Sequence, residues 1–187
     1  DTLPELMTVP YLTRRYGANR ESGVRVNSSY HDGDTQLDNQ SRTALVGAAS
    51  FDYRGERFRG SLDVVRQEEK WNAPSRPLFL AAGLNVPTAP DARNNITQKW
   101  EWSEITDQAL LLKADLDITD NVMLFANVGG GQSEVNRFFG TPQMNNVNGT
   151  VSVTPQYFIF DIERITTEAG ARVKFDTAAV SHTARYV

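Results

Sequence analysis

The chain has 187 residues, 40% hydrophobic and 22% charged, with a formal net charge of −4 and no cysteine. That length suits one domain with a sizeable core; the lack of cysteine excludes a disulfide scaffold and thiolate metal sites, and the acidic balance argues against a nucleic-acid binder. No stretch reaches the roughly 18 apolar residues of a membrane helix, but a mean hydropathy of −0.44 suits a membrane β-barrel as well as a soluble protein, because lipid-facing and lumen-facing residues average out.

The chain opens DTLPELMTVP, a polar-then-apolar stretch with two prolines that reads as an N-terminal arm over 1–12. Strict alternation follows. Val24, Val26, Ser28 and Tyr30 share one face, and Arg25, Asn27, Ser29 and His31 the other, which is the strand signal. HDGDTQLDN then places His31, Asp32, Asp34 and Asp38 together. Oxygen-rich loops attract hard cations, but this spacing fits no calcium loop, and Asp and Gly are ordinary turn residues.

Leu45, Gly47, Ala49, Phe51 and Tyr53 form the next apolar face, and YRGER turns the chain into Phe58, Gly60, Leu62 and Val64, a hairpin pattern. Alternation resumes at Leu110, Leu112, Ala114 and Leu116, turns at TDN, and continues through Val122, Leu124, Ala126 and Val128. Gly129, Gly130 and Gly131 lack the Lys-Ser/Thr of a phosphate cradle and read as a bend near a strand end. Ile165, Thr167, Ala169, Ala171, Val173 and Phe175 make a further strand, DTAAVSH turns, and a last strand ends at RYV.

The sum is an all-β antiparallel meander of about seven strands. Its turns at 54–57, 119–121 and 176–179 are short, and its connections over 32–41, 67–100 and 133–154 are long and rich in Pro, Asn and Gly. Outer-membrane barrels alternate short periplasmic turns with long extracellular loops. The charged faces carry Arg25, Arg59, Asp63, Lys113, Asp115, Arg172 and Lys174. A soluble sheet would turn these to water, and a membrane barrel would turn them to its lumen. The sequence holds two histidines, His31 and His182, on different strands, and no HExxH pattern, so no catalytic residue and no resident metal are assigned.

Several stretches resemble TonB-dependent ferric-siderophore receptors. GVRVNSSYHDGDTQLDNQSR with FDYRGERFRGSLDV looks like the early barrel region of that family, and LTRRYGANRESG like the strand end and turn before it. AAGLNVPTAPDARNNITQKW is similar to an extracellular loop, LLLKADLDITDNVMLFANVG to the hairpin after it, and EAGARVKFDTAAVSHTARYV to a later strand pair. The resemblance covers about Leu12 to Val187 and implies part of a plugged outer-membrane barrel of roughly 22 strands over 13–187.

Such receptors bind a ferric siderophore outside the cell and are energised by TonB, with iron present only as part of the ligand. The expected partners are therefore a ferric siderophore, outer-membrane lipid and TonB, with no nucleic acid, and the expected place is the bacterial outer membrane. About a third of the strands leaves open edges, so the chain is expected to be an incomplete receptor, lacking its plug and unable to transport alone. Within the resemblance, Arg76, Arg93, Trp100, Trp102 and Arg137 are the candidates for ligand contact. The neighbouring loop aromatics read chiefly as an interfacial girdle. Asp1, Thr2, Leu3, Pro4, Glu5 and Leu6 are similar to a TonB box and are candidates for TonB contact. The alternative is a soluble or surface-associated β-rich binding or structural module without transport activity.

Overall fold

The computed structural model describes residues 6–187, which build a single sheet. Its strands are β1 (Leu6–Thr8), β2 (Tyr11–Tyr16), β3 (Ser22–Asp34), β4 (Ser41–Arg54), β5 (Phe58–Asn72), β6 (Phe79–Leu80), β7 (Trp102–Asp117), β8 (Val122–Met144), β9 (Val151–Thr177) and β10 (Val180–Tyr186). The wall runs β1-β3-β4-β5-β7-β8-β9-β10 with every pair antiparallel, β2 pairing β3 and β6 pairing β8. It is an open meander, with no pairing between its two edges among the described residues.

The N-terminal stretch is not an arm from Leu6 onward. β1 pairs Leu6 with Asp32, and β2 pairs Tyr11 with Asn27, so one register continues across the break between them. Pro10 makes the break: its carbonyl accepts the Ser28 N–H at 3.1 Å, and its ring nitrogen has no hydrogen to return.

The register also fixes the two faces. One row runs Leu12, Val26, Ala49, Val64, Leu110, Gly130 and Ile165 across neighbouring strands, and the next runs through Val24, Phe51, Leu62, Leu112 and Val128. Many of these side chains are open to the surroundings, Leu112 at 48% and Ile165 at 80%. Leu110 to Ile118, the residue just past the end of β7, covers about 27 Å at 3.4 Å per residue, close to the ~25 Å apolar band of a membrane barrel. Directly above it lies a polar row in which Arg66 and Gln108 are joined at 3.4 Å and Gln108 and Gln132 at 2.9 Å. The band therefore has a sharp upper limit.

The opposite face is charged and internally paired. Arg59 grips Asp117 through two hydrogen bonds of 2.6 and 2.8 Å, Arg15 reaches Asp52 at 3.0 Å, and Arg185 pairs with Glu168. Arg172 and Arg185 both lie against the ring of Phe125, at 5.4 and 4.8 Å.

Two sequence expectations need correction here. The long connection expected over 133–154 is mostly strand, because β8 and β9 run to 23 and 27 residues and leave only 145–150 as loop. A membrane-spanning strand needs only about 9–11 residues, so this hairpin stands well beyond the apolar band. Both its faces are wet there, and wet strands lose the apolar–polar alternation that marks them in sequence. The glycines Gly129–Gly131 do not bend the chain either. They pair regularly with Leu111–Ala109 on one side and Thr166–Arg164 on the other.

Candidate functional site

The strands end unevenly at the long-loop side, and that unevenness builds the site. β7 begins at Trp102, opposite Phe138, while β8 continues to Met144. The connection 73–101 fills the vacated edge by laying β6 parallel to β8, Phe79 against Gln143 and Leu80 against Met144.

Its base is closed by the Ala73 N–H donating to the Glu101 carbonyl at 2.8 Å. Gln40, only 6% exposed, reaches in from the preceding loop and donates to the Ala73 carbonyl at 3.0 Å and to Ser75 Oγ at 3.2 Å. Asn95 donates to the same carbonyl, and Thr97 to that of Pro74, each at 2.9 Å. Such cross-loop bonding makes a long connection a fixed shelf. Gln40→Ala is expected to cost about 1–2 kcal/mol of local stability, read as faster amide hydrogen exchange across 73–101 with unchanged exchange in β7 and β8.

Under this shelf, on the charged face, is a concavity of about 300 Å³ lined by Gln40, Trp71, Ser75, Arg76, Ser103 and Arg137. Arg76 lies over the Phe139 ring at 4.4 Å, and its Nε is 3.8 Å from Glu101 Oε2, too far for a hydrogen bond. Glu101 is 2% exposed. Its other oxygen accepts the Gln98 N–H at 3.2 Å.

Arg76 Nε and Nη2, Arg137 Nε and Glu101 Oε2 are all buried without a hydrogen-bond partner. Burial pushes the Arg76 guanidinium below its ordinary value, Glu101 opposing and Arg137 reinforcing the shift; it stays charged at any working pH. Buried, unfilled N–H donors are costly, and an oxyanion seated in the concavity would satisfy them.

Of the ligand-contact candidates, the structure brings Arg76 and Arg137 together and sets the others apart. Arg93 is exposed on the shelf, 3.9 Å from Asp38. Trp102 pairs with Phe138 on the apolar face, where the Trp100 ring lies tilted against Phe138 at 5.0 Å and Trp102 lies 6.3 Å from Tyr157. Trp102 stands eight residues before Leu110, about 27 Å along the strand, so this aromatic group lies far beyond the apolar band and is not its girdle. Tyr53 and Phe58, 6.1 Å apart beside a short turn, sit at the band's other border.

The sequence reading did not single out Gln40 or Glu101. The one signal for Glu101 was an acid between two tryptophans, KWEW, at a loop–strand junction. Of the TonB-contact candidates, Asp1, Thr2, Leu3, Pro4 and Glu5 lie outside the described residues, and Leu6 is the first residue of β1.

No family profile matches the chain. It is 27% identical over 169 residues to the ferrichrome receptor FcuA of Yersinia enterocolitica, covering 90% of the chain and 22% of that protein. It superposes on the ferric preacinetobactin receptor BauA of Acinetobacter baumannii with a TM-score of 0.91 at 26% identity, over 96% of the chain and 27% of BauA. Over nearly its whole length the chain is similar to TonB-dependent siderophore receptors. The fold recurs in the ferric-catecholate import receptor Fiu of E. coli K12, with a TM-score of 0.77 at 15% identity over 97% of the chain and 29% of Fiu. The chain spans about a quarter of the length of these receptors.

The likeness orients the sheet. In a barrel of that kind the charged face lines the lumen and the apolar band forms the outer wall, and the concavity lies on the charged face at the long-loop end. It also places Leu6. β1 and β2 run towards the short turn at 17–21, so Leu6 lies at the long-loop end with its backbone paired to Asp32.

Proposed function

We propose that this chain is a wall segment of an outer-membrane receptor that binds a ferric siderophore from outside and passes it inward with energy supplied through TonB, and that Arg76 and Arg137 contact the ligand. The observation that carries this reading is the concavity on the charged face, where Arg76 Nε and Nη2 and Arg137 Nε are buried and unfilled. Siderophores offer the matching chemistry, since hydroxamate, catecholate and carboxylate oxygens are strong acceptors and charge-assisted bonds to them are the stronger kind. Trp71 and Ile105 line the same space and give it an apolar side for the body of the ligand. The contiguous open apolar rows favour the outer membrane over a soluble module, because a soluble domain rarely leaves so large an apolar surface in water.

The test is ligand binding to the receptor held in isolated outer membranes. Arg76→Ala with Arg137→Ala is expected to weaken binding of the ferric complex about a hundredfold or more, at the scale of two lost charge-assisted bonds. The corresponding Lys pair should recover part of that loss, keeping charge without the planar donor fork. Unchanged affinity in the alanine pair, with barrel assembly intact, would remove the concavity from the binding site.

A further inference from the structure

The concavity is lined by two cations, Arg76 and Arg137, and one carboxylate, Glu101, stands behind Arg76 in an unusual way. Glu101 is anchored on three sides: its backbone N–H donates to the Gln98 carbonyl at 3.0 Å, its carbonyl accepts from Ala73 at 2.8 Å, and Oε1 accepts from Gln98 at 3.2 Å. A residue fixed in this manner cannot swing across to neutralise Arg76 fully. Oε2 stays at 3.8 Å from Arg76 Nε, near enough for strong Coulomb attraction in a dry site and too far to occupy a donor.

The other nearby acids are committed elsewhere. Glu69 pairs with Arg42, and Glu104 with Lys70 at 2.8 Å. No carboxylate lines the concavity itself.

We infer that Glu101 is the built-in counter-charge of this site. It is a positioning residue that holds Arg76 against Phe139, leaves the Arg76 and Arg137 donors free, and limits the net charge on offer to one positive unit. The inference rests on the reading of the concavity as the ligand site and adds its charge preference. A ferric complex presenting one anionic group completes the charge count. A neutral complex leaves a buried cation uncompensated, and a multiply charged one crowds Glu101.

The preference can be read with three probes bound to the receptor in outer membranes: a neutral ferric tris-hydroxamate, the same complex bearing one free carboxylate, and a ferric tris-catecholate of higher negative charge. Wild type is expected to rank the carboxylate-bearing complex first, about tenfold over the neutral one. Glu101→Gln should move the optimum to the tris-catecholate by about tenfold, and Glu101→Asp should keep the wild-type order. Arg137→Gln approaches the count from the cation side without disturbing the loop anchor, and it should move the optimum to the neutral complex.

An unchanged order in assembled E101Q overturns the inference. Should E101Q fail to assemble, an unchanged order in R137Q does the same. Either result beside a loss of binding in the Arg76 and Arg137 alanine pair defeats only the role of Glu101. Unchanged binding in that alanine pair defeats the site as well.

Discussion

Leu112→Arg is expected to destabilise the membrane-inserted barrel by about 2–4 kcal/mol, the cost of a cation near the bilayer midplane. Leu112 lies in the middle of the outer band, with Leu62 and Val128 beside it in register and Leu110 and Leu116 on the same face of its own strand. An arginine there would have to reach past more than one apolar row to find water. Leu111→Arg provides the contrast. Residue 111 faces the lumen, next to Asp63 and Gly129, where a cation meets an acid and solvent, and its cost should stay near 0.5 kcal/mol. Urea unfolding of the receptor in lipid vesicles, followed by tryptophan fluorescence and heat-modifiable gel mobility, reads both values. Were the chain a soluble module, Leu112 would face water and the two substitutions would rank together or in reverse.

That experiment probes the part of the fold the sequence stated most clearly. Within the apolar band, each residue meets either lipid or lumen, so a period of two is enforced and the strand faces can be read residue by residue. Above the band the constraint lapses. Gln132, Glu134 and Asn136 on β8 and Asp161 and Glu163 on β9 face outward as polar residues, and pattern alone read part of this region as loop. Strand persists because the backbone ladder from Ser133 to Met144 is fully paired with β9, which depends on the partner and not on local alternation. The N-terminal stretch was misread for a related reason. A proline at position 10 suggests an arm, and only the register with β3 shows that Pro10 interrupts an edge strand.

The site divides in a similar way. Arg76 and Arg137 were legible only as cations in or beside the long connections. Their meeting was not, since it depends on β8 outrunning β7 and on the shelf folding back over the gap. Trp100 and Trp102 seemed equivalent candidates in one dimension. The parity of β7 sends Trp102 to the opposite wall, and Trp100 follows it to lie tilted against Phe138. Gln40 and Glu101 gave almost no signal, because their roles consist of bonds to backbone groups 33 residues away and three residues away respectively.

Gly170→Val should be the most damaging glycine substitution in the wall. A Cβ built at Gly170 would come to 2.1 Å from the Tyr186 carbonyl oxygen and 2.7 Å from Phe125 Cζ. The carbonyl is backbone of β10 and cannot rotate away. Phe125 is 5% exposed and seats both Arg172 and Arg185, so moving its ring disturbs two cation–π contacts and the Arg185–Glu168 pair together. Overpacking of this kind costs about 1–3 kcal/mol, and the upper end is expected because one obstruction is main chain. Gly47 is the control: nothing lies within 4 Å of its built Cβ, and Gly47→Val should be neutral or slightly stabilising in a strand. Adding Phe125→Leu to Gly170→Val should recover part of the loss but not all of it, since the clash with the Tyr186 carbonyl remains. Full recovery would place the whole obstruction on the ring, and no recovery would place it on the β9–β10 ladder alone. A double-mutant cycle on vesicle-inserted receptor separates these outcomes.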